Sequence, residues 1–128
     1  MHILVIDDDA LAGEMTAAIL DQLGHATLLV DNAGAACAAL AQRRDIWLLV
    51  CDLHMPDTSG IELFRHLRTQ ACTLPFILLT GDSPALAVRE EARIDACLRK
   101  DAQLERNLDA ALAELAARAR RLTAGEQP

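Results

Sequence analysis

The chain has 128 residues, 52% of them apolar, and a formal net charge of −7 at pH 7. That length is enough for one buried core and short for two ordinary domains. Lys and Arg are scattered apart from Arg118, Arg120 and Arg121, so the clustered positive charge that a nucleic-acid backbone demands is missing, and direct binding to nucleic acid is not expected.

In chain order, a β-type apolar run at residues 3–6 comes first. It is too short for a signal-peptide core or a membrane span, which points to a cytoplasmic protein with no membrane partner. The acidic turn Asp7-Asp8-Asp9 follows. Leu11, Met15, Ile19 and Leu23 then recur every four residues, which predicts a helix carrying them on one face and closed by Gly24. A second strand at 26–30 completes a βαβ unit. Asn32 can cap the next helix, and the third strand spans 47–51. Ser59 with Glu62 has the capping-box spacing for a third helix. The fourth strand covers 76–79, Ser83-Pro84 reads as a cap with a first-turn proline, and the fifth strand covers 96–98. Asp101 can cap a last helix over about 102–122, with Leu104, Leu108, Leu112, Leu115 and Leu122 along one side. The polar tail, 123–128, is expected to fray, leaving one domain over 1–122.

Strict alternation of apolar strands with helices predicts a doubly wound α/β fold, a parallel sheet covered on both faces. Ligand sites in such sheets lie at the carboxyl ends of the strands, where the winding reverses. Asp7-Asp8-Asp9, Asp52, Thr80 and Lys100 each follow a strand and should therefore converge. Grouped carboxylates repel unless a cation offsets them, and Mg²⁺ suits oxygen ligands: Asp8, Asp52 and the backbone carbonyl of His54 directly, with Asp7 through water. With that charge neutralised, Asp52 can act as a nucleophile toward phosphorus, Lys100 can bind a phosphoryl oxygen and Thr80 can donate a hydrogen bond, with Gly81 leaving room beside it.

Four segments together resemble the receiver domain of bacterial response regulators: Ile-Asp-Asp-Asp at 6–9, Asp-Leu-His-Met-Pro-Asp-Thr-Ser-Gly at 52–60, Leu-Leu-Thr-Gly at 78–81 and Leu-Arg-Lys at 98–100. The resemblance runs to about Leu122. It implies a flavodoxin-like three-layer sandwich with five helices and five parallel strands in the order 2-1-3-4-5. It also implies phosphorylation of Asp52 by a histidine kinase or histidine phosphotransfer protein, and output by contact with a further protein once Thr80 turns toward the phosphoryl group. Such a domain catalyses its own phosphorylation and dephosphorylation and is not a turnover enzyme.

The chain departs from that pattern in two places. Cys97 stands where the family usually has a switching aromatic residue, and Asp101 stands where a proline usually follows the lysine, which bears on how Lys100 is aimed. The segment 80–100 is also a little short and lacks the usual Gly-Ala before the fifth strand, so a fourth helix that is short, displaced or mobile is expected. These departures motivate the alternative of a pseudo-receiver, an interaction module with little phosphoryl chemistry. A haloacid-dehalogenase-type phosphatase using Asp7 and Asp9 fits less well, since Leu11 stands where that motif wants Thr or Val and Asp52 goes unexplained.

Other residues read more plainly. His54 belongs on the rim of the site, and His2, His25 and His66 are structural or solvated. Cys37, Cys51, Cys72 and Cys97 are irregularly spaced, without a Cys-x-x-Cys pair, and read as reduced thiols packed as small apolar groups. Leu108, Leu112, Leu115, Ala119 and Leu122 alternate spacings of four and three, which fits either a helix packing on its own sheet or a short seam supporting a homodimer.

Overall fold

The computed structural model describes residues 1–123; residues 124–128 of the expected tail, and the side chains of Leu122 and Thr123, lie outside the described residues. Five strands, β1 (His2–Ile6), β2 (Ala26–Val30), β3 (Ile46–Asp52), β4 (Phe76–Thr80) and β5 (Ala96–Arg99), alternate with five helices, α1 (Ala10–Gln22), α2 (Ala33–Gln42), α3 (Gly60–Thr69), α4 (Pro84–Glu90) and α5 (Leu104–Thr123). All strand pairs are parallel, in the order β2-β1-β3-β4-β5.

Alternate residues of each strand point to opposite faces, so nearly continuous apolar strands build two cores. Leu4, Ile6, Leu49, Cys51, Phe76 and Leu78 meet α2, α3 and α4 on one face. Ile3, Val5, Leu48, Val50, Ile77 and Leu79 meet α1 and α5 on the other, where Leu104, Leu108, Leu112 and Leu115 are buried. The seam of α5 thus packs on its own sheet from Leu108 to Leu115, whereas Ala119 is exposed. All four cysteines are free thiols.

Most helix starts follow the expected chemistry. The Asp9 side chain accepts hydrogen bonds from the N–H groups of Leu11 and Ala12, Asn32 accepts from Ala35 N, and Ser59 accepts from Glu62 N. The box at α3 stays half made, because Glu62 takes the Thr58 hydroxyl instead of returning to Ser59. Ser83 makes no side-chain cap bond at α4. Asp101 accepts from Gln103 N at 2.9 Å, capping the turn that leads into α5, which begins at Leu104.

The face expected on α1 is corrected by the structure. Ile19 and Leu23 pack partly buried against the core, but Leu11 and Met15 are exposed, and the buried positions are Gly13, Thr16 and Leu20. The cause is close approach: a Cβ on Gly13 would stand 2.8 Å from Leu29 Cδ1 and 3.3 Å from the Cβ of Asp7, so backbone rather than a large side chain meets the sheet.

The fourth helix has only seven residues. Its far end is fastened to α3 by Arg65, whose guanidinium donates to Glu91 Oε1 and to the Glu90 carbonyl, both at 2.9 Å. Arg93 grips both oxygens of the buried Glu91, at 2.8 and 3.0 Å. These two guanidinium groups, Arg93 first, hold the Glu91 carboxyl down at about 2.

Candidate functional site

The carboxyl ends of β1, β3, β4 and β5 lie side by side, and the residues that follow them converge as the chain order predicts. Oxygens of Asp7, Asp8 and Asp52 all lie within 4.8 Å of one another. Lys100 Nζ stands 2.6 Å from Asp52 Oδ1 and 3.1 Å from Asp7 Oδ2. Asp7 and Asp52 are buried, at 3% and 8% exposure, whereas Asp8 faces solvent. Asp7 is further fixed by accepting from Asp9 N at 2.9 Å.

The electrostatics of this cluster are unbalanced. Burial raises the carboxyl pKa of Asp52, the Lys100 ammonium only partly offsets it, and Asp7 and Asp8 push the same way as burial. Burial also opposes the charge on Lys100, but its bonds to Asp52 and Asp7 prevail and hold its pKa above the ordinary value. One cation among three carboxylates leaves room for another.

Asp101 in the usual proline position does not divert Lys100. The backbone carries the aim: Lys100 N donates to Thr80 O at 2.8 Å, one step past the last strand pair Thr80 and Arg99, and no cis peptide occurs among the described residues. Thr80 is fully buried, and its Oγ1 accepts from Asp82 N at 3.0 Å. A Cβ on Gly81 would meet nothing within 4 Å, so the space beside Thr80 does not depend on that glycine.

Gly60 is the glycine this site requires. A Cβ there would stand 2.6 Å from the Asp52 carbonyl oxygen and 2.5 Å from Leu78 Cδ1, so α3 starts directly against the end of β3. The intervening loop is pinned by Leu53 N to Leu79 O and Gly60 N to Leu53 O, both at 2.8 Å, with His54 paired to Ser59 in an isolated bridge.

The His54 side chain is exposed on the rim, as expected, with Nε2 3.6 Å from Asp82 Oδ2. Asp82, one of the acidic positions along the chain, stands at the same rim, two residues after Thr80. Of the other histidines, His2 Nδ1 lies 2.8 Å from Asp45 Oδ2, and His25 lies beside Trp47 with ring centroids 6.2 Å apart. Cys97 pairs in register with Leu78 and is half-buried, and burial pushes its thiol pKa up. No helix among the described residues is long and apolar enough to cross a membrane.

Comparison with known proteins gives the family and the fold. Residues 3–112 match the family described as the response regulator receiver domain. The chain is 36% identical over 80 residues to the transcriptional regulatory protein FixJ of Bradyrhizobium diazoefficiens, covering 62% of this chain and 38% of FixJ. It is 39% identical over 81 residues to the phosphate regulon regulator PhoB of Pseudomonas aeruginosa, covering 62% and 35%. The sensory/regulatory protein RpfC of Xanthomonas campestris pv. campestris is 31% identical across 95% of this chain, which amounts to 17% of RpfC. The chain therefore spans well under half the length of these relatives. Among solved structures, a receiver domain from Clostridium thermocellum superposes with a TM-score of 0.80 at 24% identity, covering 94% of this chain and 98% of that one. The response regulator TrrA of Thermotoga maritima, in complex with Mg²⁺-BeF, gives 0.77 at 24%, covering 89% and 97%. These two likenesses bear on the fold, and the family match bears on kinship: the chain belongs to the response regulator receiver domains of two-component systems.

Proposed function

We propose that residues 1–122 act as a phosphoacceptor switch in which Asp52 takes a phosphoryl group from a histidine kinase or histidine phosphotransfer protein. The supporting observation is the meeting of Asp7, Asp8, Asp52, Thr80 and Lys100 at one end of the sheet, from positions spread over 94 residues. Asp52 holds one oxygen against Lys100, and burial raises its carboxyl pKa.

The donor set suits Mg²⁺: three clustered carboxylates with one ammonium between them carry excess negative charge, and hard oxygen ligands are what this ion prefers. Asp8, Asp52 and the His54 carbonyl would hold it, with Asp7 through water. Bound there, the ion supplies the positive charge that lets carboxylates and phosphoryl oxygens share a small space.

An Asp52 carboxylate oxygen forms the new bond to phosphorus as the bond from phosphorus to the donor's imidazole nitrogen breaks, and that nitrogen keeps the electron pair. Lys100, already between Asp7 and Asp52, follows the transferred group by one of its three N–H donors. The Thr80 oxygen accepts from Asp82 N, so its own hydrogen is available for a phosphoryl oxygen. Turning the hydroxyl that way gives up the Asp82 bond and loosens the start of α4. A signal thus leaves the site by protein-protein contact, and the domain resets by hydrolysis rather than by turning over a substrate.

The test is intact mass after incubation with acetyl phosphate, with and without Mg²⁺, alongside Asp52→Ala. A Mg²⁺-dependent gain of one phosphoryl group, absent from Asp52→Ala, is expected. No gain where a working receiver is modified would overturn the reading in favour of the pseudo-receiver.

A further inference from the structure

One cavity lies away from the acidic cluster, at the opposite end of the sheet. It encloses about 540 Å³ between the last turns of α2 and α3, the start of β3 and the loop before β4. Its origin is compositional. Helix α2 reads Ala-Gly-Ala-Ala-Cys-Ala-Ala-Leu-Ala-Gln, and methyl groups do not fill the groove against α3 as larger side chains would. The groove continues past Cys37 and His66 into a second space of about 370 Å³.

The lining is divided by polarity. Leu40, Ile46, Leu67 and Leu74 form an apolar floor, while Arg44, His66 and Gln70 stand at the wall. Arg43 is spent on Asp45, with its guanidinium nitrogens 2.7 and 3.0 Å from the two carboxylate oxygens. Arg44 makes no side-chain hydrogen bond or ion pair among the described residues, and neither do His66 and Gln70. An apolar space of ligand size with a few uncommitted polar groups on one side is the usual form of a small-molecule site.

We infer that this cavity binds an amphipathic organic acid, its apolar body on Leu40, Ile46, Leu67 and Leu74 and its carboxylate at Arg44. A carboxylate is the natural partner because a guanidinium presents only donors, in a fork that matches two oxygens. The negative ends of α2 and α3 also point to this edge, but those partial charges fade within the last turn, and the full charge of Arg44 stands at the cavity wall. Occupancy would bear on α3, the helix whose first residue abuts Asp52, without touching the carboxylates themselves. The inference does not depend on phosphoryl chemistry.

The probe is 2-naphthoate, a rigid acid that loses little freedom on binding, compared with its neutral amide. Titrated into ¹⁵N-labelled protein, it should shift amides at 37–44 and 66–74 in a saturable way and leave Asp7, Asp52 and Lys100 unmoved. Arg44→Gln should weaken the acid about tenfold, as loss of a charge-assisted pair does, and leave the amide's affinity as it was. Ala41→Phe, placed on an exposed wall position, should exclude both. Absence of saturable shifts, shifts centred on the acidic cluster, or equal affinity of the wild type and Arg44→Gln for the acid would each overturn the inference.

Discussion

The contact between Gly60 and the end of β3 yields a prediction whose size follows from distances. In Gly60→Ala the new methyl carbon would stand 2.6 Å from the Asp52 carbonyl oxygen, whereas carbon and oxygen settle at about 3.3 Å or more, so the two backbones must part by roughly 0.7 Å. Leu78 cannot yield instead, because it is fully buried and its Cδ1 would be 2.5 Å away. Overpacking of this kind costs about 1–3 kcal/mol, and the helix propensity gained by alanine returns only a fraction of a kcal/mol in a first turn. A net loss of about 2 kcal/mol lowers Tm by roughly 6–8 °C in a domain of this size. Thermal unfolding followed by circular dichroism reads the loss, and labelling by acetyl phosphate should slow because the Asp52 end of β3 is displaced. Gly81→Ala is the control: with nothing within 4 Å of its Cβ, it should change stability by less than about 0.5 kcal/mol. Equal Tm values for Gly60→Ala and wild type would refute the packing argument.

Further outcomes follow from the charges and caps. Because burial raises the Asp52 pKa, its contribution to stability is present at low pH and is lost as pH rises through the folded value. Asp52→Asn should therefore raise the metal-free Tm by a few degrees at pH 7 and by less at pH 3, and a lower Tm at pH 7 would contradict that sign. Lys100→Met should cost about 2 kcal/mol at pH 7, since two buried carboxylates lose their cation, and less at low pH, where Asp52, whose pKa burial raises, takes up a proton. Glu91 is held at about 2 against an ordinary 4.5, so its contribution is present above pH 4.5 and fades as pH falls toward 2. Glu91→Gln should flatten the Tm-against-pH curve over that window, and an unchanged acid limb would count against the Arg65 and Arg93 fork. Asn32→Ala removes a 2.7 Å cap bond and should lower Tm by about 3–4 °C, the equivalent of about 1 kcal/mol.

Much of this could be read along the chain because doubly wound sheets translate order into position. Once strands were placed at their apolar runs, Asp52, Thr80 and Lys100 had to meet. What escaped the reading has particular causes. The i+4 spacing from Leu11 to Leu23 looks like a stripe, but at 100° per residue each step drifts by about 40°, and the stripe winds around α1. The inward side is set by Gly13 and Thr16, which carry no hydrophobic signal, and Gly13 is needed for its lack of a side chain. The effect of Asp101 was legible only as a departure, because Lys100 is aimed by a backbone bond to Thr80 that side-chain identity does not encode. Glu91 with Arg65 was beyond reach: 26 residues separate them and no periodicity joins them. The cavity beside α2 could not be seen either, since an alanine-rich helix is an ordinary helix until its neighbour is known.

The fastening of Glu91 to α3 has a mechanical consequence. The stretch from Gly81 to Glu90 behaves as a short beam, tied at one end to Thr80 and bolted at the other by two guanidinium groups. If phosphorylation releases the Thr80 end as proposed, the Glu91 end stays bolted, so the beam would pivot there rather than slide and carry the exposed Leu86 and Val88 with it. In a domain whose fifth strand carries a thiol in place of an aromatic ring, that pivot would give the proposed switch a route from the site to the surface through backbone alone.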